Sequence, residues 1–389
     1  MFMFEKALAG GRRYWIWLLA LCVVIAAGFL FYLRQFSEGL AITGMSRDVS
    51  WGIYIAQFTF LVGVAASAVM VVLPYYLHNW RVFGKITILG EFLAVASVSM
   101  CMLFILADMG QPTRVLNMIL YPAPHSIMFW DMVSLGGYLL LNAVIAHVTL
   151  RSEYKDVAPP AWIRPVILLS IPWAISIHTV TAFLYSGLPG RAFWLTAVLA
   201  PRFLASAFAS GPALLILLCL LIRKFTSFDA GREAVRKLAV IVTYAMLANV
   251  FLMLMEVFTA FYSRIPEHLS PFEYMFFGLR GRTSLVPWMW TSAILAAVAL
   301  ILLLVPRLRQ SERLLAIACS AVFVSLWIDK GVCLVVCGFI PSPLGAVTEY
   351  TPTLPEVSIT LGIWAVGFLL VTLFYKITLS VRGRLAPGV

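Results

Sequence analysis

Ten separate stretches of this chain are long and apolar enough to cross a bilayer, and that repetition decides most of what it can fold into. A helix needs about 20 apolar residues to cross a hydrocarbon core of roughly 30 Å. The runs fall at 14–36, 51–77, 84–108, 129–150, 163–184, 203–222, 237–262, 286–305, 313–338 and 357–380. A chain that is 62% hydrophobic and only 12% charged cannot hide its apolar surface in a water-soluble core. The expected fold is therefore all-α, a single integral membrane domain over 1–389. Helical bundles are expected at 51–184 and 203–338, flanked by helices 14–36 and 357–380. A β-barrel would instead show short alternating segments. The first run is too long, and lacks the small-residue cleavage site, of a removed signal peptide.

A net charge of +11 invites a nucleic-acid reading, but the distribution excludes it. With the N-terminus inside, most basic residues fall in the inner connections, among them Lys6, Arg12, Arg81, Lys85, Arg223, Arg232, Arg309, Arg382 and Arg384. The outer segments hold fewer: Arg34, Arg47, Arg114, Arg191, Arg202, Arg264, Arg280 and Arg282. This is the positive-inside pattern, with both termini in the cytoplasm and the chain in the cell membrane. Anionic lipid is the partner such basicity implies. The six cysteines all sit in apolar runs and none forms a CxxC pair, so they read as small packing residues and no metal site is expected. The longer outer connections, 109–128, 185–202, 263–285 and 339–356, are rich in Pro, Gly and aromatic residues and suit a docking surface for a partner as well as simple loop packing.

Ionisable residues inside membrane spans are costly and usually functional. Asp108, Asp131, His178, Glu256 and Glu356 come from five helices and fall in the outer half. Asp329 and Lys330 fall near the middle, and Glu91 and His147 in the inner half. A quinone site needs an apolar slot, a donor or acceptor for each ring oxygen, and a proton route to water. His, Asp, Glu and Tyr supply the last two. On this reading His178, Asp108 and Glu256 serve the outer site, and Glu91, Asp329, Lys330 and Asp131 a proton path. Asp131 and Glu356 also suit plain helix starts, favoured by the dipole. A bis-histidine haem needs two histidines at matched depth on facing helices. His147 and His178 lie at opposite depths, and His78, His125 and His268 are in connections, so no haem is expected. Neither is a flavin, because no glycine-rich nucleotide motif follows a strand.

Several of these residues fall in recognisable runs. Asp108-Met109-Gly110-Gln111-Pro112-Thr113-Arg114 resembles the D-x-G-x-P-x-R segment of the NrfD/PsrC-type membrane subunits. Trp51-Gly52 resembles that family's W-G start. His178 with Thr179 and Thr181, and Tyr350 through Glu356, resemble motifs of its ten-span subgroup. The wording of 40–145 is most similar to the P-subunit branch found in Dsr complexes of sulfur-metabolising microbes. The resemblance implies a quinone-interacting subunit with no redox centre of its own, working with menaquinone near the outer face. It implies a ferredoxin-like iron–sulfur subunit on that face, together with a haem-b membrane subunit, a multihaem cytochrome c and a cytoplasmic iron–sulfur subunit. Asp108, Arg114 and His178 match motif positions, Trp51 accompanies them, and either Tyr121 or Tyr138 stands where relatives place a tyrosine near the quinone. An ion-coupled secondary transporter and a plain membrane anchor are the rival readings.

Overall fold

The computed structural model describes residues 5–383; Arg384 lies outside them. Ten helices in it are long and apolar enough to cross a membrane, and the described residues contain no strand, only one isolated bridge between Leu279 and Arg282. The fold is all-α. The spanning helices are α1 (Arg12–Glu38), α2 (Ile53–Leu77), α3 (Thr87–Asp108), α4 (Ile127–Tyr154), α5 (Ile163–Ser186), α6 (Leu199–Phe225), α7 (Arg232–Ser263), α8 (Val286–Leu304), α9 (Glu312–Cys337) and α10 (Leu354–Val381).

Neighbours along the chain pack on one another. The α2–α3, α3–α4 and α4–α5 pairs close into a group, and α6–α7, α7–α8, α8–α9 and α9–α6 into another. The two groups meet where α2 lies against α6 and α9, and α5 against α6. α10 packs on α3, and α1 lies outermost, on α10. α2 is the centre of the molecule: it is apolar on every face, as a helix with no water-facing side must be, and every residue of its most apolar stretch is buried. Small residues allow that crowding. A side chain on Gly211 of α6 would come within 2.7 Å of the Ser67 backbone nitrogen, and one on Gly90 of α3 within 2.9 Å of Val71.

Two spans are not regular. α2 is interrupted at Ala66–Ala68, between Ile53–Ala65 and Val69–Leu77. α9 widens into a π-helical segment over Trp327–Cys333, a form that recurs at functional sites. The segment carries Asp329 and Lys330, and its Gly331 sits against the Ala56 carbonyl of α2.

One boundary differs from expectation in a way that matters. α6 begins at Leu199, four residues before the expected start, because Pro201 falls in the first turn, where its missing N–H costs nothing. Arg202, counted above as an outer-segment residue, is therefore inside the span, and it is buried.

Candidate functional site

The first turn of α6 and the later parts of α7 and α9 bring together a buried ionic triad. The Arg202 guanidinium donates to Glu256 Oε2 at 2.7 Å and to Asp329 Oδ1 at 2.6 Å, with all three side chains under a tenth exposed. Asp329 and Glu256 thus share one cation and lie level with each other across α7 and α9. Lys330 turns away from this triad. Its ammonium sits 4.3 Å from the centre of the Phe203 ring and 3.4 Å from the Phe203 carbonyl, in space left open by Gly63. The cluster holds two cations and two carboxylates, so its formal charges balance. Balance of that kind is what makes burial of such groups tolerable. Beside it, Asn249 Oδ1 is buried with no partner among the described residues and borders a small internal gap shared with Arg202, Ser206 and Lys330.

On the α5 side, His178 is fully buried, and neither ring nitrogen has a hydrogen-bond partner among the described residues. It lies within Coulombic reach of Lys330. One turn further along α5, the Thr181 hydroxyl donates to Asp131 Oδ1 of α4 at 2.8 Å. Asp131 is buried, and together with Asp108 it acts electrostatically on the Tyr185 hydroxyl. Tyr185 in turn makes a short hydrogen bond with Thr59 of α2. Over these groups lies an aromatic layer. The Trp51 ring is 5.3 Å from Tyr185, 5.8 Å from Trp194 and 5.8 Å from Phe339, and Arg191 caps Phe339 at 4.4 Å.

The W-G pair and the run before α10 are one structure. The Tyr350 hydroxyl accepts from the Ile53 N–H at 2.8 Å and donates to Glu356 at 2.7 Å. A side chain on Gly52 would come within 2.4 Å of that hydroxyl. Glu356 also accepts from the Gly44 and Thr353 N–H groups, completing a capping box at the start of α10. Burial and the Glu356 carboxylate together hold the Tyr350 hydroxyl well above the usual phenol range.

Asp108, at the end of α3, is within Coulombic reach of Glu356 and has one buried oxygen with no partner among the described residues. Nearby, Tyr54 donates to Gln35 Oε1 at 2.7 Å, and Gln35 donates to the Ala107 carbonyl at 2.6 Å. Ala107, whose carbonyl Gln35 holds, also lines an open cleft of about 190 Å³ between α1, α3 and α10. Its lining is apolar apart from the Tyr32 hydroxyl and includes Gly28, Leu103, Leu106, Ile363 and Val366.

Not every expected residue joins these groups. Arg114 and Tyr121 are exposed in the connection after α3, Tyr121 at 76%. Tyr138 is buried and its hydroxyl donates to the Ala65 carbonyl, at the interruption of α2. Glu91 is buried towards the other end of α3, with one oxygen lacking a partner among the described residues. Sequence reasoning missed Arg202, Gln35, Tyr54 and Tyr185. Charge balance held a signal for the first, since the ionisable residues singled out in the spans comprise six carboxylates and one cation, Lys330. It also missed Gln57, whose carbonyl oxygen accepts from the indoles of Trp327 and Trp364 and ties α9 and α10 to α2. No group of three or more metal-ligating side chains occurs among the described residues.

The chain is similar over nearly its whole length to two reductase membrane proteins. It is 28% identical to a putative dimethyl sulfoxide reductase membrane subunit of Halobacterium salinarum, over 92% of this chain and 89% of the relative. It is 23% identical to the menaquinone reductase integral membrane subunit of Nitratidesulfovibrio vulgaris, over 94% and 91%. A shorter match, 25% identical over 65% of this chain and 62% of the relative, is to the Hdr-like menaquinol oxidoreductase integral membrane subunit of Archaeoglobus fulgidus. The family model described as "Polysulphide reductase, NrfD" matches residues 41–340, which take in α2 through α9 and leave out α1 and α10. With ten spanning helices and a match over most of its length, the chain is a multi-pass membrane protein that belongs to the NrfD family.

Proposed function

We propose that this chain is the quinone-interacting subunit of a membrane oxidoreductase complex, passing electrons and protons between menaquinol or menaquinone and redox centres on partner subunits. The cleft between α1, α3 and α10 carries the reading: it is apolar and open at the side, as an isoprenoid quinone requires, and its lining residue Ala107 directly precedes Asp108, a carboxylate with an unpartnered oxygen. Two relatives bear menaquinone or menaquinol in their names, which supports the same substrate. A quinone exchanges two electrons and two protons. Asp108 accepts or gives a proton at the ring end of the cleft, with Gln35 and Tyr54 fixing the polar corner. His178, Asp131, Lys330, Asp329, Glu256 and Glu91 carry protons through the interior; Trp51 and Tyr138 hold the packing around them. Arg114 and Tyr121, on the exposed connection, face the partner. The partners are a ferredoxin-like iron–sulfur subunit on the long-loop face, with haem-b, multihaem cytochrome c and cytoplasmic iron–sulfur subunits in the same complex. Both termini are cytoplasmic, and the complex serves sulfur metabolism.

The test is quench titration of a fluorescent quinol analogue on the wild-type protein and on Leu106→Trp, Asp108→Asn and His178→Ala forms. Saturable binding that the Leu106→Trp form loses supports the cleft. Loss in His178→Ala alone moves the ring into the interior, and no binding to the wild type overturns the proposal.

One observation favours a second reading. The interrupted α2 lies against the π segment of α9, with Lys330 beside Gly63, an arrangement suited to ion coupling. Proton uptake into vesicles driven by an ion or solute gradient, with no quinone present, would establish it.

A further inference from the structure

The short-loop face of the second helical group holds a cavity of about 240 Å³ that plays no part in the reading above. It lies between the end of α6, the start of α7 and the connection into α9, and is lined by Arg223, Arg232, Arg236, Arg309 and Glu312, with Val235 and Leu315. Four guanidiniums share it with one carboxylate, and Asp229 lies against one of the four, so a surplus of two positive charges remains.

The partners are unevenly distributed. Glu312 is taken by Arg223, through a short hydrogen bond, and Asp229 also lies against Arg223 at 3.9 Å. Arg309 donates to the Leu303 carbonyl at 2.9 Å and to the Thr243 hydroxyl at 3.4 Å, which aims its guanidinium without neutralising it. Among the described residues, the Arg232 and Arg236 guanidiniums form neither a hydrogen bond nor an ion pair. They are one turn apart on α7 and so project from the same side of it. Two open guanidiniums beside a third that is fixed but uncompensated suit the oxygens of a phosphate group, which arginine binds through paired N–H donors.

The setting points to the source of that phosphate. Exposed apolar side chains flank the cavity's arginines along the chain: Leu221 and Phe225 on either side of Arg223 in α6, Tyr244 two turns after Arg236 in α7, and Leu304 and Val305 just before Arg309. A soluble anion has no use for such a rim, whereas acyl chains attached to the phosphate would cover it. We infer that this cavity is a binding site for an anionic phospholipid, its headgroup phosphate held by Arg232, Arg236 and Arg309 and its chains lying on α6 and α8.

Native mass spectrometry of the full-length protein, titrated with phosphatidylglycerol, cardiolipin or phosphatidylethanolamine, tests this. The Arg232→Gln/Arg236→Gln form is expected to bind the anionic lipids about ten-fold more weakly than wild type. The Arg12→Gln/Arg13→Gln form, which removes the same charge elsewhere on the same face, is expected to match wild type. Arg232→Lys/Arg236→Lys should recover part of the loss, and unchanged helical circular dichroism shows that the variants are folded. Equal weakening by both glutamine pairs, no weakening by either, or equal uptake of the zwitterionic lipid would overturn the site. Displacement of the lipid by millimolar inorganic phosphate would reassign it to a soluble anion.

Discussion

Arg202 holds two carboxylates from two other helices, and its removal leaves both buried without a counter-charge. Breaking a buried pair by deleting one partner typically costs about 3–5 kcal/mol. The Arg202→Ala form is therefore expected to melt well below wild type in detergent, and Glu256→Gln/Asp329→Asn introduced with it should restore most of the difference. A thermal scan of the three proteins checks this; equal melting of all three would show that the triad is not structural. The carboxylates were legible in the sequence because an acid in an apolar run stands out. Arg202 was not, because Pro201 made the first turn of α6 look like a loop. Gly52 and Tyr350 were visible only as motif letters. Their reason, a hydroxyl occupying the space where a Gly52 side chain would lie, needs two segments 298 positions apart to be seen together.

At the scale of elements, spans are easy to read and their irregularities are not. A run of about 20 apolar residues announces a crossing whatever its partners. The interruption at Ala66–Ala68 and the π segment at Trp327–Cys333 change no local hydropathy, so only the packed structure reveals them. Both depend on close approach. Gly211→Val should force α6 away from Ser67 and the interruption of α2, with a loss of about 1–3 kcal/mol, since overpacking a filled interior costs that much. The check is the unfolding midpoint in denaturing detergent; an unchanged midpoint would mean that α6 has slack there. The cleft was likewise invisible from one strand of text, because α1, α3 and α10 are distant in sequence, and α1 approaches α10 closely where Gly28 faces Gly362.

Across the whole molecule, the basic residues concentrated on the short-loop face and the longer, aromatic connections on the other make orientation an accessible question. With the N-terminus inside, a Leu344→Cys form, whose site is 89% exposed, should react with a membrane-impermeant maleimide on intact cells, whereas an Arg81→Cys form should react only after permeabilisation. The reverse pattern would invert the topology and put the arginine-lined cavity on the outer leaflet. The family match over 41–340 covers the two groups of helices and stops short of α1 and α10. Those two lie against each other at the margin of the first group, with α10 between α1 and α3.

That arrangement imposes an order of assembly on the ribosome-bound chain. α1 is made before α2 to α9, yet α10, the helix it mostly rests on, is made after them, so until then its protein partners are those that Gln35 holds, Tyr54 and Ala107. The cleft, whose walls are α1, α3 and α10, comes into being only when α10 arrives. Any ligand that depends on this cleft is kept from the nascent chain until α2 to α9 are in place.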